Sequence, residues 1–162
     1  FIESCKLLAE KHPELKDELV VVVYGKDSEQ LKPLVPFQVY PLNYISNEKE
    51  LVDVYNAVDL FVTPSLEENL PNTIIEAMAC GIPCVGFNVG GIPEMIDHLH
   101  NGYVADYQSS EDFANGIHWT LSESEYQSLS EEARRKASSS YSENAIAKRY
   151  IDVYNKITSY YE

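Results

Sequence analysis

Positive charge is what this chain has least of: 12 lysines and arginines stand against 26 acidic residues over 162 positions, a formal net charge of −14. Such a surface repels phosphate backbones and anionic lipid surfaces alike, which argues against nucleic acid as a partner. The same shortage constrains any phosphorylated small molecule, which backbone N–H groups and helix ends must then hold in place of side-chain cations. Long apolar runs are missing as well. No stretch of about 18 apolar residues is present to cross a bilayer as a helix, so the chain is expected to be soluble. Cysteine is confined to Cys5, Cys80 and Cys84. An odd number without a nearby histidine reads as small reduced core residues rather than as a disulfide framework or a zinc site, which suits a cytoplasmic protein. Asp97, His98 and His100 lie close in sequence, but read as a solvated loop. No metal is expected.

What is present is 44% hydrophobic and alternates between two periods. Short β-rich runs, Val20 to Tyr24, Phe37 to Leu42, Leu60 to Thr63, Pro83 to Phe87 and Gly102 to Ala105, are separated by helical patterns. That alternation predicts βα units and a Rossmann-like, doubly wound, mostly parallel sheet with helices on both faces. Glu48 to Val58 carries Leu51, Val54, Tyr55 and Val58 on one face, and Pro71 to Cys80 opens on a proline and stops at Gly81. From about residue 109 the chain is helical. Ser109 and Ser122 are expected as caps answered by Asp112 and Glu125, and a last helix from about Ser142 to Ser159 carries an inward stripe of Ile146, Tyr150, Val153 and Ile157.

One stretch, Pro64 to Pro83 (PSLEENLPNTIIEAMACGIP), concentrates the chemistry. The strand before it ends near Thr63, so Glu68 falls at a carboxyl end of the sheet, where open α/β sheets bind ligands. Pro71 starts the helix without needing an acceptor for an N–H, and the N–H groups of Leu70, Asn72 and Thr73 are left to meet an anion. Each charge-assisted hydrogen bond there contributes on the order of 1.5 to 3 kcal/mol, and the helix end up to about 2 more. Glu76 lies five residues past Pro71, roughly 7 to 8 Å down the axis. Ile74, Ile75, Met78 and Ala79 mark the buried face by the helical step, which leaves Glu76 facing the crevice. On spacing alone a plainer alternative stays open, with Glu68 complementing the helix dipole and Glu76 a solvated surface side chain. Gly90-Gly91, before a short helix near Pro93, reads equally as a second anion-binding helix start or as a turn needing positive φ.

The run EENLPNTIIEAMACGIPCVGFNVGGIPEMI, flanked by Asp59 to Ser65 and by Asn101-Gly102, resembles the signature of nucleotide-sugar glycosyltransferases of the GT-B fold, specifically glycosyltransferase family 4. The likeness is dense from Tyr55 to Ala105 and looser elsewhere. It implies that residues 1–162 form a single donor-binding domain, the C-terminal half of a two-domain retaining enzyme. Such an enzyme transfers a sugar from a nucleoside diphosphate to a glycan or lipid-linked acceptor held mainly by the other half, in the synthesis of surface polysaccharide. By the same resemblance Glu68 contacts the transferred sugar as the catalytic residue and Glu76 the ribose. The backbone of Asn69, Leu70, Pro71, Asn72 and Thr73 meets sugar and diphosphate. Gly25 lets the nucleotide approach, and the region Tyr40 to Tyr44, with Tyr44 in it, lies near the base. The donor is a UDP- or GDP-linked sugar, with no cofactor and no metal, and the whole protein is expected in the cytoplasm, in places peripheral to the inner face of the membrane. Two departures stand out. An arginine and a lysine that the family uses on the diphosphate have no counterpart here, and Asn69 occupies a position where glycine is common.

Phe1 to Lys11 reads as an amphipathic helix with no strand before it, so the chain is expected to be a fragment whose sheet, ordered 3-2-1-4-5-6, lacks its first strand. A rearranged or exchanged strand, a foreign segment or a homodimer is expected to close the gap, and the fragment alone is not expected to catalyse transfer. Tyr150, Tyr154, Tyr160 and Tyr161 are expected in part to face a domain outside these residues. Two further readings remain open at the level of sequence: a nucleotide-sugar 2-epimerase-like domain, and a non-catalytic ligand-binding module on the same scaffold.

Overall fold

The computed structural model describes residues 1–159. Helix α1 (Ile2–Lys11) leads into β1 (Val20–Tyr24), which pairs in parallel with β2 (Gln38–Leu42). After α2 (Glu48–Asn56) come β3 (Phe61–Thr63), α3 (Asn72–Ala79), β4 (Cys84–Phe87), the single turn α4 (Ile92–Met95) and β5 (Gly102–Ala105). Strands β3, β4 and β5 form a second parallel set in that order. Helices α5 (Ser110–His118), α6 (Tyr126–Lys136) and α7 (Glu143–Thr158) complete the chain. The expected strands are all present, three of them starting one residue later than their sequence patterns suggest.

Successive side chains of a strand point to opposite faces, and here they divide the core in two. On β4, Cys84 joins Tyr55, Ile74, Met78, Ile92 and Met95 beneath α2, α3, α4 and α6, while Val85 and Phe87 join Leu8, Phe113 and Ile117 beneath α1 and α5. Covered on both faces, β4 is buried at every position. This is the α/β architecture with helices on both sides that the alternating pattern predicts. Cys5 and Cys84 are buried in the two cores, Cys80 only partly, and all three thiols are free.

The strands do not form one sheet. The sides of β1 and β3 that face away from their partners are unpaired, and a cavity of about 550 Å³ separates them, lined by Val20, Val22, Leu60, Val62, Leu8 and Ile117 among others. In the expected order 3-2-1-4-5-6 the position of the first strand falls between these two edges. No rearranged strand closes the gap among the described residues.

Three helical expectations need correction. Ser122 is not a cap: the chain stays helical through a wide π turn at Trp119–Glu123, closed by Ser124 N–H donating to Trp119 O at 3.0 Å, and α6 starts after Glu125 with no side-chain cap. Ser109 does cap α5, accepting from the Asp112 N–H at 3.1 Å, but the Asp112 carboxylate turns to the Asp106 N–H and the Tyr103 hydroxyl. Ser142 caps α7, yet the stripe on α7 is not inward: Ile146 is half-buried, and Tyr150, Val153 and Ile157 are exposed. Periodicity reveals which face seeks an apolar partner, not whether these residues supply one. Tyr150 and Tyr154 are 62% and 64% exposed; Tyr160 and Tyr161 lie outside the described residues. Among the described residues no helix is long and apolar enough to cross a membrane.

Candidate functional site

Beyond β3 the chain turns outward through Pro64 to Pro71, and each bend of this loop is held by a named group. The Thr63 and Ser65 hydroxyls lie 3.3 Å apart, the Tyr107 hydroxyl donates to Leu66 O at 3.2 Å, and the Gly91 N–H donates to Asn69 O at 2.7 Å. The glycine pair is there for closeness. A Cβ on Gly90 would lie 1.8 Å from Glu68 O and one on Gly91 2.3 Å from Asn69 O, while Gly90 also takes φ +55°. Its role as a turn and buttress is therefore the one the structure shows; the Gly91 N–H is already engaged, and no anion-binding start is formed at α4.

The loop delivers the chain to α3 with Pro71 in extended backbone as the N-cap rather than as the expected first helical residue, so the helix starts one position later, at Asn72, with no side-chain cap. Apart from a 3.1 Å bond from the Ile74 N–H to Pro71 O, the entrance is unsatisfied. Among the described residues the N–H groups of Leu70, Asn72 and Thr73 have no acceptor. Asn69, Leu70 and Asn72 are exposed and Glu68 half-buried, so the entrance opens to solvent. At the far end of α3 the Arg134 guanidinium donates to Cys80 O at 3.1 Å. A cation there complements the negative end of the helix dipole, leaving the positive end uncompensated at the entrance.

The buried side of α3 is Ile74, Ala77 and Met78, with Ile75 half-buried. Ala79, expected inside, is exposed, and Glu76 is exposed on the side away from that core. Its position is fixed from below. The Tyr55 hydroxyl on α2 donates to Glu76 Oε2 at 3.0 Å, and the Tyr24 hydroxyl at the end of β1 lies 3.1 Å from that of Tyr55. This chain carries the site across to Gly25, next to Tyr24, which adopts φ +113° with nothing within 4 Å of where a Cβ would be. Glycine is needed there for its conformation, and the space over it is open. The structure thus brings Glu68, Asn69, Leu70, Pro71, Asn72, Thr73 and Glu76 around one helix entrance and links Gly25 to it. Tyr44 stands apart, 73% exposed in the loop after β2, with no hydrogen bond among the described residues to the others.

Sequence reasoning missed Tyr24, Tyr107 and Arg134, and counted Tyr55 only as one apolar member of an inward stripe. Tyr55 is 2% exposed with its ring edge-on to Phe61 and Tyr24. Burial, followed by its hydrogen bond to Tyr24 and the nearby Glu76 carboxylate, pushes its hydroxyl well above the ordinary tyrosine range, so it stays a donor. The available signal was its chemistry, since a buried tyrosine hydroxyl requires a partner.

The family described as glycosyl transferases, group 1, matches residues 1–137. An uncharacterized glycosyltransferase of Haemophilus influenzae is 29% identical over 133 residues, 80% of this chain and 37% of that protein. The N,N'-diacetylbacillosaminyl-diphospho-undecaprenol alpha-1,3-N-acetylgalactosaminyltransferase of Campylobacter jejuni is 28% identical over 159 residues, 97% of this chain and 40% of that protein. The chain thus spans about two fifths of the length of these relatives. Among solved structures, Anabaena HepE in complex with UDP superposes with a TM-score of 0.77 at 21% identity, covering 95% of this chain and 44% of that one. Its fold is that of the GT-B glycosyltransferases, and the chain belongs to the group 1 glycosyltransferase family.

Proposed function

We propose that this chain is the donor-binding, C-terminal half of a retaining enzyme of glycosyltransferase family 4, and that the entrance of α3 grips the diphosphate of a UDP- or GDP-linked sugar. The observation that carries this is the set of unsatisfied N–H groups at Leu70, Asn72 and Thr73, open to solvent beside Glu68 and one helical turn from Glu76. At roughly 1.5 to 3 kcal/mol each, three such bonds to an anion amount to about 4.5 to 9 kcal/mol, the size of a millimolar to micromolar interaction. Asn69 to Thr73 hold sugar and diphosphate, Glu76 accepts from the ribose hydroxyls, Gly25 admits the nucleotide, and Tyr44 stacks near the base.

As the glycosidic bond to the diphosphate breaks, negative charge grows on the leaving oxygens, and donors already aimed at that position stabilise it without rearranging. Glu68 touches the transferred sugar and orients it while the acceptor attacks from the face the diphosphate leaves. The acceptor, a glycan or lipid-linked sugar, is held mainly outside these residues. The Campylobacter relative, whose name carries an undecaprenol diphosphate, supports a lipid-linked acceptor, and the role proposed for the whole protein is surface polysaccharide synthesis at the cytoplasmic face of a membrane. The chain alone binds donor without turning it over.

Saturation-transfer NMR with UDP, GDP, UDP-glucose and GDP-mannose tests this. One nucleotide family is expected to bind at millimolar concentration or better, unchanged by EDTA, with Glu76→Ala weakening it and Asn72→Pro, which removes an entrance N–H, abolishing it. No transfer from any of the four excludes donor binding.

A further inference from the structure

The two carboxylates of the site are held differently. Glu68 sits on a loop buttressed through backbone atoms, whereas Glu76 projects from an exposed helix face and, among the described residues, Tyr55 is the side chain that holds it. Proton counting orders the rest of the chain. Tyr55 has one hydroxyl proton, and Glu76 Oε2 accepts it, so across the 3.1 Å contact Tyr24 must be the donor to Tyr55 oxygen. The result is a directional relay, Tyr24 to Tyr55 to Glu76, running from the end of β1 through a buried ring to the solvent side of α3. Tyr55 cannot swing away, because its ring is packed edge-on against Phe61 and Tyr24 within the core beneath α2 and α3.

We infer that Tyr55 is a positioning residue for nucleotide recognition, a fixed donor that holds one oxygen of Glu76 so that the other is presented to the ribose hydroxyls. The inference rests on the reading of Glu76 as the ribose ligand. An unrestrained glutamate on a helix surface loses rotamer freedom when it binds, and a partner that has already fixed it removes that loss from the binding step. The second oxygen of Glu76 has no hydrogen-bond partner among the described residues. Tyr24 polarises Tyr55 from behind and ties the carboxylate to the strand end where Gly25 admits the nucleotide, so one relay registers ribose against both sides of the crevice.

Tyr55→Phe keeps the ring and deletes the donor, and the informative measurement is a cycle of variant against ligand. Isothermal titration of the chain with UDP and with 2′,3′-dideoxy-UDP, and with the guanosine pair in parallel, gives the contribution of the ribose hydroxyls in each protein. In the native protein the hydroxyls are expected to improve affinity by roughly tenfold, the low end for one hydrogen bond to a charged group. In Tyr55→Phe that advantage is expected to fall to about two- or threefold, with dideoxy affinity unchanged. Tyr24→Phe, at the outer end of the relay, shifts the same quantity in the same direction by less, and serves where Tyr55→Phe melts early. A merely structural role lowers both affinities together and leaves the ratio intact, which overturns the inference. Glu76→Ala separates the two layers. If the hydroxyl advantage survives in Glu76→Ala, or if no nucleotide binds, the ribose-ligand reading itself fails. If the advantage collapses in Glu76→Ala but persists in both tyrosine variants, the ribose reading stands and only the positioning role is lost.

Discussion

The two groups of strands are built from similar residues and end in different states. Strand β4 lies between two others and between two helical layers, and Cys84, Val85 and Phe87 are all nearly inaccessible. Strand β1 reads more apolar still, four valines and a tyrosine, yet none of its five residues is fully buried and Val20 is 46% exposed. The difference is position in the sheet rather than composition: β1 has a partner on one side and a cavity on the other. Hydrophobic stabilisation follows area removed from water, so the same side chain counts for much more in the three-stranded set than in the pair. That set also carries the α3 entrance, which places the proposed diphosphate grip on the better supported half and only the approach at Gly25 on the other.

The largest effect expected from this contrast is in a matched pair of substitutions. Val85→Ala removes the same two methyl groups as Val20→Ala, but from a fully enclosed site, and is expected to cost roughly 2 to 4 kcal/mol including the cavity left behind. Val20→Ala is expected to cost less than about 0.5 kcal/mol. Urea unfolding of the two variants measures both. Native-state hydrogen exchange asks the same question without mutation: the β1–β2 amides should open at lower free energy than those of β4. Equal costs, or equal protection, would mean that the cavity closes in solution.

A second contrast uses one glycine from each region. Gly90→Ala meets both a positive φ and the Glu68 carbonyl, so the loop must move; a stability loss of roughly 2 kcal/mol is expected, together with loss of nucleotide binding. Gly25→Ala meets open space, and only its backbone conformation resists, at about 1 kcal/mol. Calorimetric melting and UDP titration of both variants separate the terms. If Gly25→Ala abolishes binding while stability changes little, the space over Gly25 is occupied by ligand.

Much of this was legible in the sequence because it was written locally. Strand positions follow from β-branched runs bounded by Gly and Pro, and the α3 entrance follows from Pro71 and the N–H groups beside it. Contacts between segments far apart in sequence were not legible. Nothing near Gly90 shows that it touches Glu68, nothing in α6 announces that Arg134 closes the end of α3, and the pattern in α2 places Tyr55 inward without naming what its hydroxyl meets. The exposed stripe on α7 is the complementary failure, a sound local pattern whose partner is not among the described residues.

The smallest expected effect is read at high pH, at Tyr103 of the three-stranded set and at Cys5 on α1. Burial, then the hydrogen bond to Asp112, raises the Tyr103 hydroxyl to about 12, and burial raises the Cys5 thiol to about 11. Both groups keep their protons when folded and lose them sooner when unfolded, so the unfolded state binds fewer protons and stability falls as pH rises. For Cys5 the loss begins near the ordinary thiol value of 9.0 and is complete by about 11; for Tyr103 it runs from 10.0 to about 12. Tyr103→Phe should therefore reduce the upper part of the curve, where the buried Tyr55 hydroxyl keeps its own share, while leaving the slope between pH 9 and 10 to the buried thiols Cys5 and Cys84, since Asp112 still holds the Asp106 N–H at 2.7 Å and β5 keeps its place. Urea midpoints taken at half-unit steps from pH 8 to 12 resolve the two segments. An unchanged profile in Tyr103→Phe would mean that the Tyr103–Asp112 bond is open in solution and that β5 is less firmly covered than β4.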